Sequence, residues 1–223
     1  MLEAIGIKKA FLQRGIVLDN LNLSVKEGDS ISVMGPSGSG KTTLLNILGL
    51  LDKPDSGDII FRGRSLLGYT SDESAQYRNK NIGFIFQDHL LLPYLTIREN
   101  ILLPLLASNL SDMDFKERTK KADSLMEKTG IQDIAKKYPF QVSGGEAQRA
   151  TLVRSLVNNP SLILADEPTG SLDKMNSGML ADLLVEINNE SGVTLIVATH
   201  SNELSAKMKY QFELVNGRLA STH

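Results

Sequence analysis

A glycine-rich segment, Gly35–Thr42, has the residue types and spacing of a phosphate-binding loop, with Lys41 and Thr42 at its end. Glycines allow consecutive backbone N–H groups to point at an anion, and a helix that begins at the loop adds partial positive charge. Lys41 would reach the β- and γ-phosphates of a nucleoside triphosphate, and the Thr42 hydroxyl would bind Mg²⁺. The segment therefore predicts a nucleotide site, but kinases, GTPases and transporters all share this pattern. The residues expected to hold the phosphates are Gly35, Pro36, Ser37, Gly38, Ser39, Gly40, Lys41, Thr42 and Thr43.

Two adjacent carboxylates, Asp166 and Glu167, follow the apolar run Leu162–Ala165. At the end of a strand beside the loop, Asp166 would hold Mg²⁺ next to Thr42. Glu167 points differently and could polarise a water molecule for in-line attack on the γ-phosphate. The two acids could instead be solvated charges at a strand end. The phosphate-binding loop in the same chain makes this alternative less favoured.

A third pattern, Ser143-Gly144-Gly145-Glu146, stands just before a helical stretch, Ala147–Leu156. A serine followed three residues later by glutamate is a capping box, and that alone accounts for two of the four residues. The two glycines are not needed for capping and lower helix propensity. A helix start with so little side chain suits a second phosphate-binding surface, where backbone approaches a ligand closely.

The elements that must position these groups alternate between β-like runs and helical stretches, which predicts an α/β fold with a mostly parallel sheet. Apolar runs typical of central strands covered on both faces occur four times: Ile31–Met34, Ile82–Phe86, Leu162–Ala165 and Val193–Thr199. From Thr96 to Asn158 only helices are expected. One of them carries a core-facing apolar face and ends before Gly130. A last helix is expected to face the core through Met175, Met179, Leu180, Leu183, Leu184 and Ile187.

Composition narrows the class of protein. The 223 residues suffice for one larger domain, and 24 basic against 26 acidic residues give a net charge of −2, so no nucleic-acid partner is expected. There is no cysteine, which excludes disulfides and thiolate chemistry, and only three histidines. No run is long enough to span a membrane and no signal peptide is recognisable, so we expect a cytoplasmic location.

These patterns, in this order, resemble the ATP-binding-cassette (ABC) family over essentially the whole chain. Gly35–Thr42 resembles its Walker A loop, Leu162–Asp166 its Walker B strand with Glu167 as the catalytic base, and Ser143–Glu146 its signature motif. The resemblance assigns four further residues: Gln87 as a Mg²⁺ ligand and sensor of the membrane partner, Asp173 in the D-loop, His200 at the γ-phosphate, and Phe11 stacked on adenine.

Membership would imply a P-loop NTPase core with a mostly parallel sheet, an N-terminal antiparallel β-subdomain and an inserted α-helical subdomain. On that basis residues 1–223 form one ATP-binding domain, with the core at 1–90 and 159–223 and the helical subdomain at 91–158. Two such chains would close head-to-tail around two ATP molecules with Mg²⁺. The dimer would bind integral membrane permease subunits near Gln87–Tyr94, at the cytoplasmic face of the inner membrane.

Residues 83–100 and 158–173 are similar to those of lipoprotein-releasing and macrolide-exporter ATPases, and they favour lipoprotein release. Macrolide or antimicrobial-peptide export and cell division stay open as alternatives. Two positions depart from the most frequent family pattern, Glu146 in place of glutamine and Ser171 in place of alanine or asparagine.

Three other classes compete with a transport ATPase. A P-loop kinase would leave the signature-like segment unexplained. A DNA-repair or translation cassette would need a longer insertion or a second loop, and a catalytically dead cassette would not need Lys41, Asp166, Glu167 and His200.

Overall fold

A computed structural model of the protein describes residues 1–108 and 110–222. Within these residues the strands are β1 (Leu2–Phe11), β2 (Gly15–Val25), β3 (Ser30–Met34), β4 (Ser56–Phe61), β5 (Arg64–Ser65), β6 (Ile82–Ile85), β7 (Leu162–Asp166), β8 (Thr194–Ala198), β9 (Tyr210–Val215) and β10 (Arg218–Ser221). The α-helices are α1 (Lys41–Leu48), α2 (Ser71–Asn81), α3 (Ile97–Leu106), α4 (Asp112–Lys128), α5 (Gly144–Leu156), α6 (Lys174–Ser191) and α7 (Asn202–Ala206). Two 3₁₀ turns cover Gln132–Ile134 and Pro139–Gln141.

The strands form two sheets. Four antiparallel strands in the order β2-β1-β4-β5 form an N-terminal sheet. Six strands in the order β10-β9-β3-β8-β7-β6 form a second sheet, which is parallel except for the β9–β10 hairpin at its edge. The expected combination of a mostly parallel sheet with an N-terminal antiparallel sheet is confirmed.

Alternate residues of the central strands enter different cores, because successive side chains of a strand point to opposite faces. Leu162 and Leu164 of β7 pack into the core that contains α1 and the antiparallel sheet. Ile163 and Ala165 pack on the other face, against α5 and α6. With both faces covered, β3, β7 and β8 can be apolar along their whole length, as the sequence predicted.

A third core joins α3, α4 and α5 and contains no strand residue among those described. Thr96 caps α3 by accepting from the Glu99 N–H, and the Glu99 carboxylate accepts from the Thr96 N–H. Ser111 caps α4, and Gly130, with φ +67°, follows its end. These caps confirm the expected helix boundaries, while the division of the domain at residues 91 and 158 stays a prediction.

Several expectations were wrong. The run that begins at Ile82 forms the edge strand β6, not a central one, because among the described strands it pairs only with β7. Met175 and Met179 are 71% and 47% exposed, since α6 contacts the core only from its second turn onward. Helix α2 was not foreseen, because its sequence is polar and shows no apolar periodicity. No helix in the described part of the chain is long and apolar enough to cross a membrane.

Candidate nucleotide site

The glycine-rich loop connects the end of β3 to the start of α1. Gly40 precedes the helix with φ +106°, and a Cβ there would lie 2.7 Å from Val17 Cγ1, so only glycine fits. Helix α1 has neither a capping side chain nor an acidic residue in its first turn. Its first N–H groups are therefore available to an external anion.

Lys41, the first residue of α1, is only 8% exposed and turns back over the loop. Its Nζ donates to the Gly35 carbonyl at 2.8 Å and to the Pro36 carbonyl at 3.2 Å. The same Nζ lies 3.9 Å from Glu167 Oε1. Neutral carbonyls hold an ammonium less strongly than an ionised oxygen does, so this lysine can exchange them for a phosphate.

Asp166 ends β7 beside the loop, and its Oδ1 is buried without a hydrogen-bond partner in the described structure. Burial raises the pKa of this carboxyl and the charge of Glu167 raises it further, while Thr42 and Lys41 act in the opposite direction. A buried carboxylate oxygen with no partner suits a cation ligand. In the described residues no three His, Asp or Glu side chains form a metal cage. The partly buried Asp166 carboxylate beside the Thr42 hydroxyl fits Mg²⁺, which commonly takes one or two protein ligands with phosphates and water.

Glu167 follows with φ +46°, an uncommon conformation for a residue with a side chain. Its N–H donates to the Ala198 carbonyl at 2.8 Å, which ties the strand end to β8. Its Oε2 lies 2.8 Å from His200 Nδ1 and accepts from the His200 N–H at 3.2 Å. A largely buried carboxylate oriented by an exposed histidine is the arrangement expected of a base that acts on water.

These groups line one cleft of about 680 Å³. Most of the predicted nucleotide residues meet there: Ser37, Gly38, Gly40, Lys41, Thr42, Thr43, Gln87, Asp166, Glu167 and His200. Arg14 and Val17, from the β1–β2 hairpin, complete the lining and were not predicted. No local pattern marks them, because the hairpin reaches the loop only through the fold.

Four of the residues predicted to bind the chain's own nucleotide lie outside the lining of this cleft. Gly35 and Pro36 supply the carbonyls that hold Lys41, and Ser39 Oγ lies 2.9 Å from where a Cβ on Gly35 would be. Phe11 ends β1 with its ring 39% exposed and 5.3 Å from the Lys9 ammonium. Its role as an adenine platform stays a prediction.

The signature-like segment also lies apart from the chain's own cleft, since none of its residues lines it. Ser143 accepts from the Glu146 N–H at 3.3 Å, and Glu146 accepts from the Ser143 N–H at 2.7 Å. The expected capping box is therefore present, and it lowers the pKa of Glu146. Asp173 caps α6 by accepting from the Asn176 N–H at 2.9 Å.

The segment Gln87–Tyr94 begins at the cleft, where Gln87 lines it, and continues away from it. Its side chains at Leu90, Leu92 and Tyr94 are 57%, 49% and 90% exposed, while Leu91 is buried. An exposed run of this kind next to a nucleotide site is a candidate contact surface.

Three polar side chains from helices hold the backbone at the start of this segment, from Phe86 to Leu92. Gln148 of α5 donates to the Phe86 carbonyl at 2.8 Å. Arg154 of α5 donates to the carbonyls of His89 and Leu90, both at 2.9 Å. Asn100 of α3, fully buried, bonds both the N–H and the carbonyl of Leu92.

Known proteins with similar sequences belong to one class. Residues 18–170 match the family model described as ABC transporter. The lipoprotein-releasing system ATP-binding protein LolD 1 of Rhodopirellula baltica is 44% identical over 203 residues, which cover 91% of this chain and 87% of the relative. The corresponding LolD protein of Syntrophus aciditrophicus is 38% identical over 224 residues, with 99% of both chains covered.

Solved structures agree in fold. The dimeric bacterial ABC transporter cassette MJ0796 matches with a TM-score of 0.89 at 38% identity, covering 98% of this chain and 96% of that one. A post-hydrolysis MJ0796 dimer bound to ADP and Pi matches with a TM-score of 0.87 at 35% identity, with the same coverage. A family model over more than half of the sequence, together with these relatives, shows that the chain is an ATP-hydrolysing cassette and belongs to the ABC transporter family.

Proposed function

We propose that this chain is the ATPase subunit of a membrane complex that releases lipoproteins from the inner membrane towards the outer membrane. The observation that carries the proposal is the convergence of Lys41, Asp166, Glu167 and His200 in one cleft of a chain whose curated relatives are lipoprotein-releasing ATPases. The residues of the cleft support ATP hydrolysis, and the names of the relatives support lipoproteins as the cargo.

In the proposed reaction the loop N–H groups and Lys41 bind the β- and γ-phosphates of ATP. Thr42, Asp166 and Gln87 would hold Mg²⁺, which neutralises charge that develops on the phosphates. Glu167 accepts a proton from water while the water oxygen bonds to the γ-phosphorus and the bond to the β–γ bridging oxygen breaks. His200 keeps the Glu167 carboxylate in place through its Nδ1 contact and lies exposed at the cleft, where the γ-phosphate would be.

The active form is proposed to be a dimer. Ser143 caps helix α5, which begins with Gly144 and Gly145, and none of the three residues lines the cleft of its own chain. A helix start with two glycines suits an anion, and the ATP in a second copy of the chain would supply one. Each ATP would then lie between the loop of one chain and the signature of the other, with Asp173 at the contact.

Membrane subunits are proposed to bind the Gln87–Tyr94 segment and the groove beside it. That groove, of about 490 Å³, has an apolar wall that includes Leu51, Phe84 and Leu103. A short helix from the cytoplasmic side of a permease would cover this wall and the exposed Leu92 and Tyr94. Because the segment starts at Gln87 in the cleft, the nucleotide bound in the cleft and the membrane subunit bound to the segment would influence each other.

The proposal is tested by capture of partners from detergent-solubilised membranes of the source organism with tagged Glu167→Gln protein, ATP and Mg²⁺. Two different membrane subunits with large periplasmic domains are expected. One such subunit would indicate a macrolide-exporter complex instead, and recovery of DNA or ribosomes without a membrane protein would refute the transport role.

A surface variant locates the contact. Tyr94→Glu places a charge on the exposed segment and is expected to abolish capture with ATPase activity retained. Met113→Glu, at a comparably exposed apolar position on α4, is the matched control and should capture the same subunits. Equal capture by both variants would exclude the segment as the docking site.

A further inference from the structure

Asn176, in the first turn of α6, connects the Ser143–Glu146 segment with Asp173, neither of which lines the chain's own cleft. Its Nδ2 donates to Asp173 Oδ2 at 2.6 Å, and its N–H donates to Asp173 Oδ1 at 2.9 Å. These bonds lower the pKa of Asp173, so the carboxylate stays charged and strongly bonded. Asn176 thereby holds Asp173, the D-loop residue that is proposed to lie at the contact between two chains.

The same side chain lies against the signature segment. A Cβ on Gly145 would be 2.5 Å from Asn176 Oδ1 and 2.7 Å from its Cγ, closer than carbon atoms tolerate. A Cβ on Gly144 would meet nothing nearer than Leu172 Cδ2, at 3.9 Å. Packing within the chain therefore requires glycine at position 145 but not at position 144, and the side chain that imposes this requirement is Asn176.

Helix α5 adds a cationic side chain to the junction that Asn176 forms between the Ser143–Glu146 segment and Asp173. Arg149 Nη1 lies 3.4 Å from Asn176 Oδ1, and Arg149 Nε is buried with no partner in the described structure. Asn176 thus accepts from the signature helix and donates to the D-loop carboxylate. Its side chain therefore bonds both to α5 and to Asp173.

We propose that Asn176 is a positioning residue that joins the Ser143–Glu146 segment to Asp173, so that both meet a second copy of the chain as one rigid surface. The inference rests on the proposed dimeric site. Two segments held in fixed relation lose less conformational entropy on association than two that move independently. Loss of the Asn176 side chain should therefore weaken dimer closure without affecting ATP binding by the monomer.

The test compares Asn176→Ala with Asn189→Ala, an exposed asparagine on the same helix, each in the Glu167→Gln chain. Sedimentation at a series of protein concentrations, with ATP and Mg²⁺, gives the dimer dissociation constant. Asn176→Ala is expected to raise it about tenfold, the cost of ordering on association a group that Asn176 no longer holds in place. Asn189→Ala should leave it unchanged, and both variants should match the parent in monomer ATP affinity.

Two further measurements separate positioning from general stability. In monomers, the amide hydrogens of residues 144–147 should exchange faster in Asn176→Ala than in Asn189→Ala. Gly145→Ala alone should destabilise the chain, and this cost should fall in the Gly145→Ala/Asn176→Ala double variant.

The outcomes distinguish the inference from the function on which it rests. A Glu167→Gln parent that stays monomeric with ATP overturns both the composite site and the role of Asn176. A parent that dimerises, with a dissociation constant unmoved by Asn176→Ala, overturns the inference alone. Unchanged amide exchange at residues 144–147, or a Gly145→Ala cost independent of Asn176, would also overturn it.

Discussion

Replacement of Glu167 by glutamine removes one negative charge from the cleft and preserves the size of the side chain. The Glu167 carboxylate contacts His200 Nδ1 at 2.8 Å and lies 3.9 Å from Lys41 Nζ. Its side chain is 14% exposed and that of Lys41 is 9% exposed, so solvent screens the second contact weakly. The substitution should therefore change both the chemical step and the strength of nucleotide binding.

The two effects have opposite signs. Loss of a general base lowers turnover by about 10² to 10⁴-fold, or about 3 to 5 kcal/mol of activation free energy. For unit charges 3.9 Å apart, Coulomb's law gives about 4 kcal/mol at an effective dielectric constant of about 20, before desolvation costs. Without that attraction, Lys41 is freer to bind a phosphate. Glu167→Gln should therefore bind ATP more tightly than the parent and hydrolyse it far more slowly.

The assay measures release of inorganic phosphate with no added acceptor, together with titration of a fluorescent ATP analogue. Glu203→Gln is the control, since Glu203 is exposed and does not line the cleft. Turnover of Glu167→Gln within about threefold of the parent, far less than the loss expected of a base, would exclude Glu167 from that role. Weaker nucleotide binding in this variant would refute the electrostatic argument.

Three other substitutions test the remaining parts of the site. Lys41→Ala should weaken ATP binding at least about tenfold, through loss of charged hydrogen bonds, and unchanged affinity would argue against the phosphate cradle. Ser143→Arg should prevent ATP-dependent dimerisation and spare monomer binding, and a normal dimer in sedimentation would refute the composite site. Burial raises the folded-state pKa of Asp166 above its unfolded value. Between these two pKa values the folded chain binds more protons than the unfolded chain, so the stability of the nucleotide-free chain should fall as pH rises above about pH 4. Asp166→Asn should lack this fall in urea unfolding, and identical pH profiles would contradict the assignment.

Much of the site could be predicted because its residues are local in sequence. The loop, the two acids and the capped glycine segment are each contiguous, and their chemistry depends on residue types at short spacing. His200 and Gln87 were assigned by resemblance to the family, and the structure places both in the same cleft. The central strands were predictable for a related reason, since burial on both faces requires continuous apolar runs.

Other features depend on contacts between distant segments and leave no local pattern. Arg14 reaches the cleft only because β1 and β2 form a hairpin over the loop. Met175 and Met179 have helical spacing but lie where α6 extends beyond the core. The edge position of β6 depends on which strands pair, and apolar content alone does not determine pairing.

Gln148, Arg154 and Asn100 hold the backbone from Phe86 to Leu92 and, within it, bond only to main-chain atoms. Every amino acid except proline presents the same N–H and carbonyl groups. On the proposed docking, exchange of Leu90, Leu92 or Tyr94 would alter which permease helix is recognised and would leave the attachment to α3 and α5 in place. Under that proposal, partner choice and the linkage to the helices would vary independently. A new specificity would then require changes at three exposed positions and none in the nucleotide site.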